Sequence, residues 1–218
     1  MDAIKACIFD LDGVIVDTAK YHYIAWKQLA GELGFTFTKE QNELLKGVSR
    51  MRSLDILLEI ANIQKNGEEK QVLAARKNEY YVNLISKMTP DEILPGVRQF
   101  LYELKEKGIK TALGSASKNT PLILDQIGLA RLFDAVIDGN QVSKAKPDPE
   151  VFLKGAEKLN VTPSDCIVFE DAIAGIEAAK AGSMRCVGIG NAEVLKNADL
   201  VIPGFMDFTV EKLFTHFC

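Results

Sequence analysis

The sequence contains no stretch of ~20 apolar residues, the length a membrane-spanning helix requires, so no membrane span is expected. Positive charge is not in excess. The formal net charge of −4 gives no support to a nucleic-acid partner, which usually needs a basic face. Cysteine is scarce: Cys7, Cys166, Cys186 and Cys218, none at metal-ligand spacing. The first three lie in or beside apolar runs (ACIF, CIVF, RCVGI) and read as small core residues. A secretory signal is missing too, because Asp2 and Lys5 precede a short apolar run that Asp10 interrupts. Internal repeats and low-complexity tracts are also lacking. What remains is a reduced, cytoplasmic, globular chain of 218 residues. Folding at this length buries roughly 70% of the unfolded surface, enough for a core without disulfides.

The texture changes along the chain. A short strand is predicted over 3–9, ending abruptly at Asp10-Leu11-Asp12-Gly13. From about Thr18 to Lys87 only helical spacing recurs: Ala25, Leu29 and Leu33, then Leu54, Leu57, Leu58 and Ala61. Gly34, Gly47 and Gly67 punctuate this stretch into four helices. After Pro95, strands and helices alternate. Strands are predicted at 110–113, 135–137, 166–169, 185–189 and 201–202, with helices at 97–107, 121–126, 151–159 and 173–181. Such alternation argues for a parallel sheet covered on both faces. The expected fold is α/β: a parallel-sheet core, 1–16 with 88–218, and an inserted all-helical domain, 17–87.

In open α/β sheets, ligands bind beyond the carboxyl ends of the strands. The first strand delivers Asp10 and Asp12 there; strand 110–113 delivers Gly114, Ser115 and Ser117. Lys144 and Lys146 follow the third strand, and Glu170 and Asp171 follow the fourth. Four carboxylates this close cannot all stay ionised without a compensating cation. Hard oxygen ligands with open positions suit magnesium. A hydroxyl and an ammonium opposite the metal suit a phosphoryl group, whose transfer depends on positioning and charge neutralisation. Asp10 is placed to attack as a carboxylate nucleophile, leaving Asp12 to move a proton.

Plainer readings compete. Asp12-Gly13 makes a turn by itself, and Asp17-Thr18 suits a helix cap. Neither explains why acids also end the later strand. A calcium loop fails for want of further ligands and a distal glutamate. Pro147-Asp148-Pro149-Glu150 reads as a helix start, with Asp148 as cap and Pro149 in the first turn. Gly188-Ile189-Gly190 echoes a dinucleotide motif but has Glu193 where the third glycine belongs. Ordinary structural roles also fit three residues of the insertion: His22 as a part-buried helix residue, Trp26 facing the core, Lys77 as a solvated charge.

Phe9-Asp10-Leu11-Asp12-Gly13-Val14, the Ser115-Ala116-Ser117 segment, Lys146-Pro147 and Phe169-Glu170-Asp171 together resemble the haloacid dehalogenase superfamily over the whole chain. The resemblance implies a Rossmann-like core with a helical cap, Asp10 as nucleophile and Asp12 as general acid/base. It implies magnesium held by the Asp10 carboxylate, the Asp12 carbonyl and Asp171, with Glu170 nearby, and a phosphoryl group held by Ser115 and Lys146. Within the superfamily, Asp17 to His22 with Trp26, Leu45-Lys46-Gly47-Val48-Ser49-Arg50 and Ser115-Ala116-Ser117-Lys118-Asn119 are similar to a sugar-phosphate mutase branch. That likeness adds Thr18, His22, Trp26, Lys46, Gly47, Val48, Ser49, Arg50 and Lys77 to the substrate residues, with Arg50 on the far phosphate. A guanidinium is bidentate toward phosphate, which suits that role. The implied reaction interconverts β-D-glucose 1-phosphate and 6-phosphate, small sugar phosphates, by way of an aspartyl phosphate and a bisphosphate; a monomer is expected because no long exposed apolar pattern suggests an obligate assembly. A magnesium-dependent phosphatase of a small sugar phosphate is the near alternative, and a non-catalytic phospho-switch the remote one. The sequence departs from the branch at Met51-Arg52, where acidic residues are common.

Overall fold

The computed structural model describes residues 4–45 and 48–217. These form two compact units, one within Met1–Asp17 and Thr89–Cys218 and the other within Thr18–Met88.

The first unit is built on six strands: β1 (Ala6–Phe9), β2 (Lys110–Gly114), β3 (Ala135–Ile137), β4 (Cys166–Glu170), β5 (Arg185–Ile189) and β6 (Leu200–Ile202). All pair in parallel, in the order β3-β2-β1-β4-β5-β6. This is the doubly wound order, in which the chain reverses direction across the sheet beside β1. Strands covered on both faces need apolar residues at every position rather than at alternate ones. β1 satisfies this completely and β4 does so up to Phe169, with Glu170 as its last residue, and all residues of both strands are buried.

Helices α7 (Glu150–Leu159) and α8 (Ile173–Ala181) supply Phe152, Ala156, Ile176 and Ala179 to one face of the sheet, against Ile8, Ala112 and Val168. The other face is aromatic. Phe9 of β1 and Phe169 of β4 are direct cross-strand partners, stacked with centroids 4.7 Å apart and planes within 8°. Phe100, from α5 (Val97–Glu106), meets both edge-on, and Phe205 adds a further ring beside them. Helices α6 (Thr120–Ile127) and α9 (Val210–Phe217) complete the unit. Cys7, Cys166 and Cys186 are buried free thiols, and burial pushes all three above the ordinary thiol value. They are core residues, as expected from their apolar neighbours.

The second unit holds four helices: α1 (Ala19–Glu32), α2 (Lys39–Glu43), α3 (Arg50–Ile60) and α4 (Gly67–Ile85). Its core is Trp26, Leu29, Phe37, Leu54, Leu57, Leu58 and Leu73. Capping boxes start α2, from Thr38 and Gln41, and α4, from Asn66 and Glu69. Gly34 ends α1 at a φ of +85°, as its punctuating position predicts. Gly67 instead lies inside α4 as its first residue, because Asn66 takes the capping place. Gly47 lies outside the described residues. No helix among them is long and apolar enough to cross a membrane.

Two expected caps need correction. Thr18 precedes α1 but is itself in the right-handed helical region, and its side chain makes no cap hydrogen bond to the helix. α7 begins at Glu150, one residue before the predicted 151, and its capping position is Pro149 rather than Asp148. The Asp148 carboxylate reaches across the proline, which has no N–H, and accepts from the Glu150 amide at 3.0 Å.

The stacked pair centres the aromatic layer. Phe169→Ala should therefore cost about 3–5 kcal/mol, the range for truncating a buried aromatic ring. A urea unfolding midpoint measures it. A loss below about 1 kcal/mol, the scale of an ordinary substitution, would show that the layer is not what holds β1 to β4.

Candidate active site

β1 stops being a strand at the residue where its chemistry starts. The Asp10 amide donates to the Phe169 carbonyl at 3.0 Å, so Asp10 continues the register of the stacked phenylalanines and stands beside Glu170. The chain then folds into a tight loop, with the amides of Ile15 and Val16 on the Leu11 carbonyl and that of Gly13 on the Val16 carbonyl. Gly13 has a φ of +79°, and a Cβ there would lie 2.0 Å from Asp171 Oδ2. Both facts require glycine. The turn reading of Asp12-Gly13 is therefore right about the backbone, and the turn belongs to the site.

Lys146 enters from the loop before α7, and its ammonium contacts Asp10 Oδ1 and lies 2.8 Å from Glu170 Oε2. Burial alone would lower its pKa, but Asp10 and then Glu170 outweigh that and hold it above the ordinary lysine value. Glu170, 1% exposed, ends β4 inside the protein. Burial raises its carboxyl to about 8, against the attraction of Lys146 and with the help of Asp10 and Asp171. Asp171 reaches solvent on one side. Its carboxyl rises to about 7 through desolvation and the negative charges of Asp10 and Asp12.

One oxygen from each of Asp10, Glu170 and Asp171 lies within 4.8 Å of the others. One lysine does not neutralise this group, as the raised carboxyl values show. A divalent cation would, and three carboxylates with open sides form a hard-oxygen donor set that fits one. The Asp12 side chain is outside that trio among the described residues.

The segment after β2 is stitched locally. Ser115 is buried, with its amide on the Ile137 carbonyl at 3.0 Å and its hydroxyl accepting from the Ser117 amide at 3.1 Å. The Ser117 hydroxyl accepts from the Asn119 amide, and its carbonyl accepts from Thr120 Oγ1 and the Gly139 amide. Ala116 and Lys118 are exposed at the tip, with Ser117 and Asn119 half-buried. Hydroxyls and backbone are thus ordered at the carboxyl edge of β2, beside β1.

In the helical unit, Lys77 is not the solvated charge its place on a helix suggests. It is 2% exposed, with its ammonium 4.6 Å from the Trp26 ring centroid and 4.7 Å from that of Tyr81. Lys77 Nζ lies 2.8 Å from His22 Nδ1. An ammonium can only donate, so Nδ1 accepts and the ring proton sits on Nε2. Desolvation, then Lys77 and Arg50, holds His22 well below the ordinary imidazole value, so the ring is neutral. Tyr81 stacks on it at 4.1 Å. Trp26 is core-facing, as its structural reading had it, and carries this contact as well. Thr18 is buried just before α1. The Ser49 hydroxyl caps α3, accepting from the Arg52 amide at 3.3 Å. Arg50 is half-buried at the helix start, and Val48 is exposed. The added charge of Arg52 is taken up by Glu59 at 2.8 Å. Lys46 and Gly47 lie outside the described residues.

Two participants escaped the sequence reading. Tyr81 stands four residues after Lys77 on α4, a spacing that places them on one face and could have found it. Glu150 was read only as a helix start. Its Oε2 accepts from the Ser143 amide and hydroxyl, each at 2.9 Å, and from the Lys144 amide at 2.8 Å. It thereby ties down the loop that carries Lys146. No local spacing signals that contact.

A doubly wound sheet with acids after β1 and β4, a shared lysine and an ordered hydroxyl loop after β2 defines a carboxylate site for anionic, cation-assisted chemistry. A profile of the haloacid dehalogenase-like hydrolases matches residues 4–182, and the chain belongs to that family. It is 46% identical over 211 residues to a β-phosphoglucomutase of Bacillus subtilis, covering 96% of this chain and 93% of that one. A β-phosphoglucomutase structure from Clostridium difficile superposes with a TM-score of 0.93 at 45% identity, covering 98% and 97% of the two chains. A phosphorylated carbohydrates phosphatase of Thermotoga maritima is 35% identical over 188 residues, 85% of each chain.

Raised carboxyl values carry a sign. Glu170 and Asp171 bind protons more tightly folded than unfolded, so their contribution to stability falls as pH rises, from about 4 to about 8. A divalent cation relieves that repulsion. The gain in melting temperature on adding magnesium or manganese chloride should therefore be small at pH 5 and grow toward pH 8. Thermal scans with and without chelator read it. An equal gain at both pH values would show that these carboxylates are not what the cation meets.

Proposed function

We infer that the protein is a β-phosphoglucomutase, an isomerase that interconverts β-D-glucose 1-phosphate and β-D-glucose 6-phosphate. The observation that carries this reading is the 46% identity over nearly the whole of both chains, helical unit included, to a curated enzyme of that activity. The geometry supports it, because Asp10 stands where a lysine and two further carboxylates meet, on the strand that pairs with the one leading into the ordered hydroxyl loop.

In this reading Asp10 is the phosphoryl carrier. Phosphorylated Asp10 gives its phosphoryl group to the 6-hydroxyl of β-glucose 1-phosphate. The bond from phosphorus to Asp10 breaks as the bond to the sugar oxygen forms, and the hydroxyl proton passes to Asp12. The 1,6-bisphosphate then returns its 1-phosphoryl group to Asp10, and Asp12 protonates the departing sugar oxygen. Glucose 6-phosphate leaves and Asp10 is phosphorylated again.

Lys146 and Ser115 hold oxygens of the moving phosphoryl group, and Ala116, Ser117, Lys118 and Asn119 shape the loop around it. Asp10, the Asp12 carbonyl and Asp171, with Glu170 nearby, are the residues that would hold magnesium. The ion supplies charge neutralisation on the transferring group. Arg50 takes the phosphate that is not reacting, with Lys46, Gly47, Val48 and Ser49 around it. His22, Lys77, Trp26 and Thr18 contribute to the sugar side, where the neutral ring with its proton on Nε2 offers a hydrogen-bond donor. The enzyme works as a cytoplasmic monomer on small sugar phosphates, with 1–16 and 88–218 as core and 17–87 as cap.

Phosphorus NMR of the protein with magnesium, β-glucose 1-phosphate and a trace of bisphosphate tests the assignment. The 6-phosphate should accumulate without inorganic phosphate. Asp10→Asn should abolish conversion, and Arg50→Ala should lower it by about 10²-fold, as the loss of a charged hydrogen-bonding partner implies. Steady release of inorganic phosphate with no isomer would replace the mutase by a phosphatase.

A further inference from the structure

Glycine is the poorest helix former after proline, yet α8, an alanine-rich helix, carries one in its first turn. Gly175 has a backbone conformation open to any residue, since it is not among the positive-φ glycines. Nothing in the chain path asks for glycine there. The space around it does. A Cβ at Gly175 would lie 2.0 Å from Glu170 Cδ and 2.3 Å from both Cγ and Oε1. These three nearest atoms all belong to one side chain, the buried carboxylate of the Asp10 site.

Glu170 has no easy way to give. It is almost wholly buried, with Oε1 accepting from the Ala172 amide at 3.3 Å and Oε2 accepting from Lys146 at 2.8 Å. Lys146 in turn is held between Glu170 and Asp10. Moving the Glu170 carboxylate therefore loosens one of the two anchors of the ammonium that faces Asp10. We propose that Gly175 is a positioning residue for phosphoryl transfer: the missing side chain at this point of α8 makes the room in which Glu170 folds back and holds Lys146 against Asp10. The proposal rests on the reading of Asp10 as phosphoryl carrier.

The test is a cycle of four proteins: wild type, Gly175→Ala, Glu170→Asp and the double variant. Two measurements are made on each. One is steady-state turnover of β-glucose 1-phosphate with magnesium. The other is the rate at which Lys146 is acetylated by an amine reagent in metal-free protein, read by peptide mass spectrometry. Alone, Gly175→Ala lowers kcat about 10²-fold with KM changed only a few-fold, the cost of a misplaced group in a reacting geometry. It also speeds Lys146 acetylation. In the Glu170→Asp background, where the shorter side chain withdraws from the clash, adding Gly175→Ala changes kcat less than about threefold and leaves acetylation as it was.

The proposal is overturned if the alanine costs as much in that background as in the wild type, or if Gly175→Ala alone alters neither readout. Should Glu170→Asp by itself be inactive, the acetylation cycle decides. Should wild-type protein not isomerise its substrate, the functional reading fails, and the acetylation cycle still tells whether Gly175 positions Lys146.

Discussion

The structure turns on one buried ammonium. Lys146 is held by Asp10 on one side and Glu170 on the other, three residues brought together from 10, 146 and 170 in the sequence. Desolvation works against the charges of Lys146 and Glu170, and a lysine buried without partners would lose its proton. It stays charged because both carboxylates are within reach. Breaking one side of such a buried pair leaves an uncompensated charge, which is far more costly than never having built it. The trio is therefore held by the fold rather than by its own net attraction.

What the fold contributes is register. Phe9 and Phe169 pair across β1 and β4 and stack, and the next residue on each strand is an acid. A slip of one residue would turn the phenylalanines to the opposite face and carry the acids with them. From the other direction, Glu150 gathers the Ser143 amide and hydroxyl and the Lys144 amide, three hydrogen bonds to one oxygen, two residues short of Lys146. The hydrogen bond from Lys154, and then these bonds, keep the Glu150 carboxyl down at about 2, so this clasp stays ionised at any pH near neutrality.

Much of this was open to reading in one dimension. Strands covered on both faces must be apolar throughout, so ACIF, CIVF and RCVGI declare themselves, and the acids after two of them mark the sheet's carboxyl edge. Helices α1 and α3 of the insertion follow from 3.6-residue spacing, with Gly34 as a visible stop. Buried lysines are what the sequence hides. Lys77 looks like any helical surface lysine until Trp26, from α1, and Tyr81 are folded around it, and no local pattern encodes a contact between residues 51 positions apart. The same holds for Glu150, whose partners lie in a loop with no periodicity. The cap of α7 was misplaced by one residue because an aspartate can reach past a proline, a choice that backbone geometry makes. The roles proposed for Arg50 and His22 rest on likeness to a family alone.

Everything chemical in the account requires that Asp10 itself carry the phosphoryl group. Acid quench within milliseconds of mixing enzyme, magnesium and the 1,6-bisphosphate, followed by peptide mapping, observes that directly. The account predicts one alkali-labile phosphoryl group, on Asp10, appearing at least as fast as turnover. A protein that turns over while Asp10 stays unmodified, or that carries the group on another side chain, would contradict it.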